Sequence, residues 1–377
     1  LLLLGAAALV APAYADKLED GFRNPPPEAA PWTYWFWING NITKAGITAD
    51  LEALAQSGIK GVLIMEVANL RTMAPNGPYP FGSPEWRELF KFAVAEAGRL
   101  GIEVNMNNDA GWCGSGGPWN TPEHSMQKVV GSSTTVKGPA RFEGKLPQPK
   151  LAGAEPAQVA PAEGKKQPAA KSARARKKAK RPPAPAPANL SPAALAAAKY
   201  YRDLRVLAYP AIRKGTAIAP DSILDLSEKM DATGKLSWDA PAGEWVVMRI
   251  GHVSTGVENR PAPEAGKGLE CDKFSAEAIK RHFDALIGML ADDVGPAAGK
   301  VLTYTHIDSW EVHWQDWTPR MAQEFKQRRG YDIIPWLITL AGGPGLGDAE
   351  QTARFLRDAK RTQSELLDAN YAGALRK

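Results

Sequence analysis

Val301-Leu302-Thr303-Tyr304-Thr305-His306-Ile307-Asp308-Ser309-Trp310-Glu311 joins a β-branched, apolar run to two carboxylates and an indole. The run reads as a buried strand that breaks into acid groups at its end. His313, Trp314 and Trp317 follow closely, so acids and flat ring faces converge on a short stretch. Sugar cleavage needs such material: a carboxylic acid to protonate a glycosidic oxygen and aromatic faces to hold a pyranose. An isolated Asp-x-x-Glu is more often a solvated strand end, so the decision rests on what surrounds it.

Upstream, strand and helix signals alternate. Trp32–Ile38 is strand-like, and a helix follows from about Thr48 to a stop at Gly58. Gly61–Val67 is a short apolar run of the kind buried on both faces of a sheet. Ser83-Pro84 marks a helix start, with Trp86, Leu89, Phe90 and Ala93 at helical spacing. Ile102–Asn108 is the third strand. The pattern resumes with a helix opened by Ser275, the Val301 strand, a second cap-plus-proline at Thr318-Pro319, a weaker strand at Trp336–Leu340 and a helix from Asp348 to Asn370. Alternation with short links implies parallel strands joined by right-handed crossovers. No glycine-rich phosphate loop opens a helix after the first strand, which argues against an open dinucleotide-binding sheet. Polar and aromatic groups instead gather after strand ends, as in barrel enzymes. The predicted fold is an α/β protein with a (β/α)8 TIM-type barrel, truncated at its C-terminus after five units.

Between these regions the helical period fades. Ser132–Val136, Leu204–Tyr209, Leu236–Trp238 and Trp245–Ile250 alternate like strands, with Asp239–Gly243 read as a turn. A small antiparallel β-module is therefore expected inside the barrel. The predicted organisation is a leader at 1–15, a first barrel part at 16–124, the module at 125–256 and the barrel's continuation at 257–377.

Net charge is +5, which invites a nucleic-acid reading that fails on distribution. Residues 151–189 hold nine Lys or Arg against Glu155 and Glu163, and removing that +7 leaves −2 for the rest. Such an Ala/Pro/Lys tract cannot bury enough apolar surface to order itself, so it is expected to be a disordered linker rather than a polyanion-binding element. Leu1–Val10 followed by Ala13-Tyr14-Ala15 reads as a secretory signal that lacks its Met and basic leader. The run is too short to span a membrane. The protein is thus expected to be exported, periplasmic or extracellular. Cys113 and Cys271 are the only cysteines, and whether they pair stays open. No zinc spacing is present.

The candidate site residues follow from the strand ends. Glu311 is the general-acid candidate, expected to be desolvated among indoles and so held protonated. Asp308 would orient it or contact a sugar hydroxyl. Trp37, Asn39, Glu66, Asn107, Asn108, Asp109, Trp112, Trp310 and His313 are the candidate substrate contacts. Asn107-Asn108-Asp109 reads equally well as a tight loop whose amides satisfy their own backbone. The tract from Glu258–Pro263 through Gly268–Lys273 reads as a domain-junction loop. Hydrolysis needs two carboxylates, about 5–5.5 Å apart in retaining and about 6.5–9.5 Å apart in inverting enzymes, and the second is not evident here.

Several strings in order resemble glycoside hydrolase family 106, the α-L-rhamnosidases. They are Phe22-Arg23-Asn24-Pro25-Pro26, Trp35–Thr43, Asp50-Leu51, Gly58–Val62, Asp109-Ala110-Gly111-Trp112, Gly116-Gly117-Pro118-Trp119, Gly268–Lys273 and Asp308-Ser309-Trp310-Glu311. The resemblance implies an inverting (β/α)8 enzyme that releases L-rhamnose and depends on calcium, whose ligands it does not assign. By motif position it makes Glu311 the general acid and Asp308 the neighbouring active-site carboxylate. Family members are far longer, so the resemblance also implies that the catalytic base lies beyond this chain and that the fragment alone is inactive. The expected partner is a rhamnose-containing oligosaccharide, polysaccharide or glycoside. A non-catalytic carbohydrate-binding relative is the alternative.

Overall fold

The structure, a computed structural model, describes residues 12–26, 29–68, 75–149, 191–211 and 217–376. Most of the expected leader and the whole basic tract lie outside the described residues; a helix spans Pro12–Arg23. The main elements run β1 (Trp32–Ile38), α1 (Lys44–Gln56), β2 (Gly61–Val67), α2 (Pro84–Leu100), β3 (Glu103–Asn107), β4 (Gln127–Lys145), β5 (Tyr201–Pro210), β6 (Leu224–Asp225), β7 (Lys235–Ser254), α3 (Ala276–Phe283), β8 (Leu302–His306), α4 (Met321–Arg329), α5 (Leu337–Leu340) and α6 (Ala349–Leu367). They fall into two compact units. The first is Leu1–Gly116 with Asn259–Lys267 and His282–Glu311; the second is Gly117–Glu258 with Gly268–Arg281 and Val312–Lys377.

The first unit is built on a parallel sheet in the order β1-β2-β3-β8. Strand β2 is buried at every position, as its unbroken apolar run requires. Strand β1 alternates. Trp35 and Trp37 are buried, and Trp37 packs edge-on to Trp86 at 5.5 Å and to Phe90 at 6.4 Å on α2. Trp32, Tyr34 and Phe36 point to the other face and stay exposed. The helices start and stop on local chemistry: Thr43 accepts from Gly46 N, Ser83 accepts from Trp86 N ahead of Pro84, and α2 ends on Gly101 at φ 65°.

This sheet is rolled. Strands β1 and β8 are its two edges, which a flat sheet would hold about 14 Å apart. Yet the rings of Trp32 and Tyr304 lie 5.9 Å apart and those of Tyr34 and His306 6.4 Å apart. The edges curl toward the face that carries Tyr34 and Phe36. Among the described residues β1 and β8 are not paired, so the mixed α/β architecture with a parallel sheet stands without a closed barrel.

The second unit holds an antiparallel sheet in the order β4-β7-β5-β6. The turn expected at Asp239–Gly243 is absent, because β7 runs through it without a break. Register passes from Gly138↔Gly243 to Ala140↔Ala240, and this bulge absorbs the Pro/Gly-rich stretch. The strand expected at Trp336–Leu340 is also absent. Leu337–Leu340 is a short helix whose Leu337 and Ile338 join Met248, Ile250, Phe325 and Phe355 in one core cluster. Thr318 does not cap α4, since its hydroxyl donates to Asp272 Oδ2 at 2.7 Å and the helix begins at Met321. Asp348 does cap α6, in a reciprocal capping box with Gln351. Cys113 and Cys271 are both buried, and no disulfide joins them. No helix among the described residues is long and apolar enough to cross a membrane.

Candidate active site

The C-terminal ends of the four parallel strands define the candidate site of the first unit. At the end of β1 the chain turns through Asn39 at φ 52° and Gly40 at φ 67°. Glu66, near the end of β2, holds this turn from beneath. Its Oε1 accepts from Gly40 N at 3.3 Å and its Oε2 from Trp86 Nε1 at 3.0 Å. Glu66 pairs in register with Trp37, so both side chains face the helices, and both are fully buried. Burial pushes the Glu66 carboxyl up to about 8, against the lowering effect of its two donors. Its position suits a structural acid under the rim, and Trp37 is part of the helix-side packing.

The end of β3 supplies three buried polar residues. Asn107 Nδ2 donates to Asp109 O, Asp109 Oδ1 and Gly111 O at 3.1, 2.9 and 2.7 Å. Asp109 Oδ2 accepts from Gly116 N at 3.2 Å, and Asn108 Nδ2 donates to Gly114 O and Ser115 Oγ. Of the two readings open from sequence, these bonds favour the tight loop: the amide hydrogens brace residues 109–116. What the loop delivers is Trp112. Its indole covers Leu63, Met65 and Val67 on the curled face.

Trp112 Nε1 donates to Glu311 Oε2 at 3.2 Å, and Arg260 Nη2 donates to Glu311 O at 2.9 Å. Glu311 is exposed, so the burial among indoles expected from sequence is corrected. The Glu311 carboxyl meets the edge of one ring and solvent; in this unit it is Glu66 that burial desolvates. Asp308 sits at the end of β8, with Oδ2 3.7 Å from His306 Nε2 and Oδ1 accepting from Ser309 Oγ at 3.0 Å. Trp310 is 42% exposed, which leaves ring surface for a ligand. His313 is exposed and belongs to the second unit.

Two participants escaped the sequence reading. Arg260 reads from sequence as part of the junction loop, and its place between Asn259 and Pro261 is the one local sign of a rigidly presented cation. His306 was hidden inside a strand. Among the described residues no three His, Cys, Asp or Glu side chains form a group that could hold a metal. Calcium takes about six to eight oxygen ligands, carboxylates prominent among them; the described residues supply no such acidic cluster, so no calcium ligand is assigned and no step is routed through the ion.

A model of glycoside hydrolase family 106, described as alpha-L-rhamnosidase, matches residues 23–180 and 191–377. A protein of Formosa agariphila named "Putative beta-glucuronidase" is 35% identical over 384 residues, covering 94% of this chain and 29% of that protein. The solved rhamnosidase of Novosphingobium sp. PP1Y matches with a TM-score of 0.74 at 25% identity, covering 95% of this chain and 45% of that one. The chain therefore spans less than half the length of either.

Proposed function

The chain belongs to glycoside hydrolase family 106, described as alpha-L-rhamnosidase, and on that premise we propose that it carries the acid-bearing part of an exported, inverting α-L-rhamnosidase. The substrate is a terminal L-rhamnose on an oligosaccharide, polysaccharide or glycoside. The observation that carries this reading is Glu311, an exposed carboxyl beyond the C-terminal end of a parallel strand with one oxygen held by an indole. With Oε2 accepting from Trp112, Oε1 is the atom that delivers the proton to the glycosidic oxygen as the bond to the anomeric carbon breaks. Asp308, steadied by His306 and Ser309, contacts a sugar hydroxyl. Trp310 offers a ring face. Inversion needs a second carboxylate about 6.5–9.5 Å away to activate water, and none of the described residues is assigned that role. Export is proposed from the apolar leader, and calcium dependence from the family resemblance alone.

The intact protein should be assayed side by side on α-L-rhamnosides and β-glucuronides, with the first-formed anomer read by NMR. Release of β-L-rhamnose supports the reading. Release of glucuronic acid would overturn it in favour of the activity in the Formosa relative's name, and binding without release would make the chain a carbohydrate-binding relative. Loss of activity on chelation, restored by calcium, supports the cofactor.

A further inference from the structure

The contacts around Glu311 close on themselves through one residue. Arg260 Nη2 donates to the Glu311 carbonyl at 2.9 Å, and the Glu311 carboxylate accepts from Trp112 Nε1 at 3.2 Å. Trp112 N in turn donates to Arg260 O at 3.2 Å, the same oxygen that accepts from Cys113 Sγ at 3.0 Å. The strap that carries Arg260 is itself pinned. Asn259 Nδ2 donates to Ala110 O and Gly266 O at 2.7 and 3.0 Å, and Ala68 N donates to Pro261 O at 2.8 Å. Gly111, at φ 89°, passes so close that an added Cβ would sit 2.6 Å from the Arg260 carbonyl carbon. The strap is thus tied to the ends of β2 and β3 while Glu311 lies past the end of β8.

We propose that Arg260 is a positioning residue for Glu311: its guanidinium holds the backbone of the acid, and its carbonyl holds the main chain of Trp112, whose indole orients the acid's side chain. This rests on the reading of Glu311 as general acid. An exposed glutamate on an irregular segment has free rotamers to lose, and general-acid transfer is sensitive to misplacement, with about 1 Å able to cost about 100-fold. Arg260 has no part in departure of a leaving group that needs no proton, so its loss should be selective.

The test compares wild-type, E311Q, R260A and R260K intact protein on two rhamnosides, an alkyl rhamnoside and a 2,4-dinitrophenyl rhamnoside. The expected result for R260A is a fall in kcat of about 30- to 100-fold on the alkyl substrate. On the dinitrophenyl substrate kcat should stay within about threefold and KM nearly unchanged. R260K should recover part of the loss, because a lysine can reach a carbonyl with one donor. Equal losses on both substrates, or none on either, would overturn the inference. E311Q separates the two failures: if it shows no leaving-group selectivity, the acid assignment is wrong, whereas selectivity in E311Q but not R260A refutes the positioning role alone. Should R260A not yield folded protein, Trp112→Phe removes only the indole donor and must show the same selectivity; its absence there also overturns the inference.

Discussion

Glu66→Gln keeps the shape of a buried carboxyl but removes the proton that the structure makes expensive to lose. The Glu66 carboxyl is fully buried and pushed from 4.5 up to about 8 by desolvation. Between those values the folded state keeps the proton and the unfolded state gives it up. Stability from this group is therefore fully present below about pH 4.5 and is lost as pH rises through about 8. At about 1.4 kcal/mol per unit, the loss reaches an upper figure of about 5 kcal/mol. Glutamine places an amide NH2 against one of the two donors, Gly40 N or Trp86 Nε1. That mismatch costs about 1–3 kcal/mol at every pH. Glu66→Gln should thus be less stable than wild type at pH 5, and the two curves should cross by about pH 7, with the variant more stable at pH 9. Urea midpoints read by tryptophan fluorescence across pH 5–9 measure this. The difference between the two proteins removes the parallel contributions of Asp272, raised to about 6, and Asp316, raised to about 7. A wild-type-minus-variant difference that does not change with pH would refute the argument.

In the second unit, Lys273 and Glu270 form a buried pair at 2.6 Å, so Lys273→Met strands a charge and should cost about 3–5 kcal/mol by urea denaturation. Adding Glu270→Gln should restore part of that loss rather than deepen it. In the first unit, Gly111→Ala combines a φ of 89° with a Cβ driven into the Arg260 backbone, and should lower stability by about 1–3 kcal/mol together with turnover on unactivated rhamnosides. Wild-type stability and activity in Gly111→Ala would show that the strap yields freely.

The parallel strands and their caps were legible because their causes are local. An unbroken apolar run, a Ser before a Pro, and a Gly past a helix each act within a few residues, and β2, α2 and Gly101 behaved accordingly. The failures trace to competition from a distance. The Thr318 hydroxyl had an ordinary capping role open to it, but Asp272, 46 residues away, took it. Trp336–Leu340 is too short to carry a period, and its apolar side chains found partners against Met248 and Phe355 instead of a parallel strand. Asp239–Gly243 has turn composition, yet the strand opposite accommodates it as a bulge. At the site, the acid pair stood out as types in a row. Its environment did not, because the hydrogen-bond partners of Glu311 are Trp112 and Arg260, 199 and 51 residues away.

Whether Glu311 protonates the departing glycosidic oxygen is decided by kcat/KM for Glu311→Gln across a series of aryl rhamnosides of decreasing leaving-group pKa. Glu311→Gln should lose about 100- to 10,000-fold for the poorest leaving groups, and the loss should shrink toward wild-type rates for dinitrophenolate. A loss of the same size at every leaving group, or no loss at all, would contradict that role.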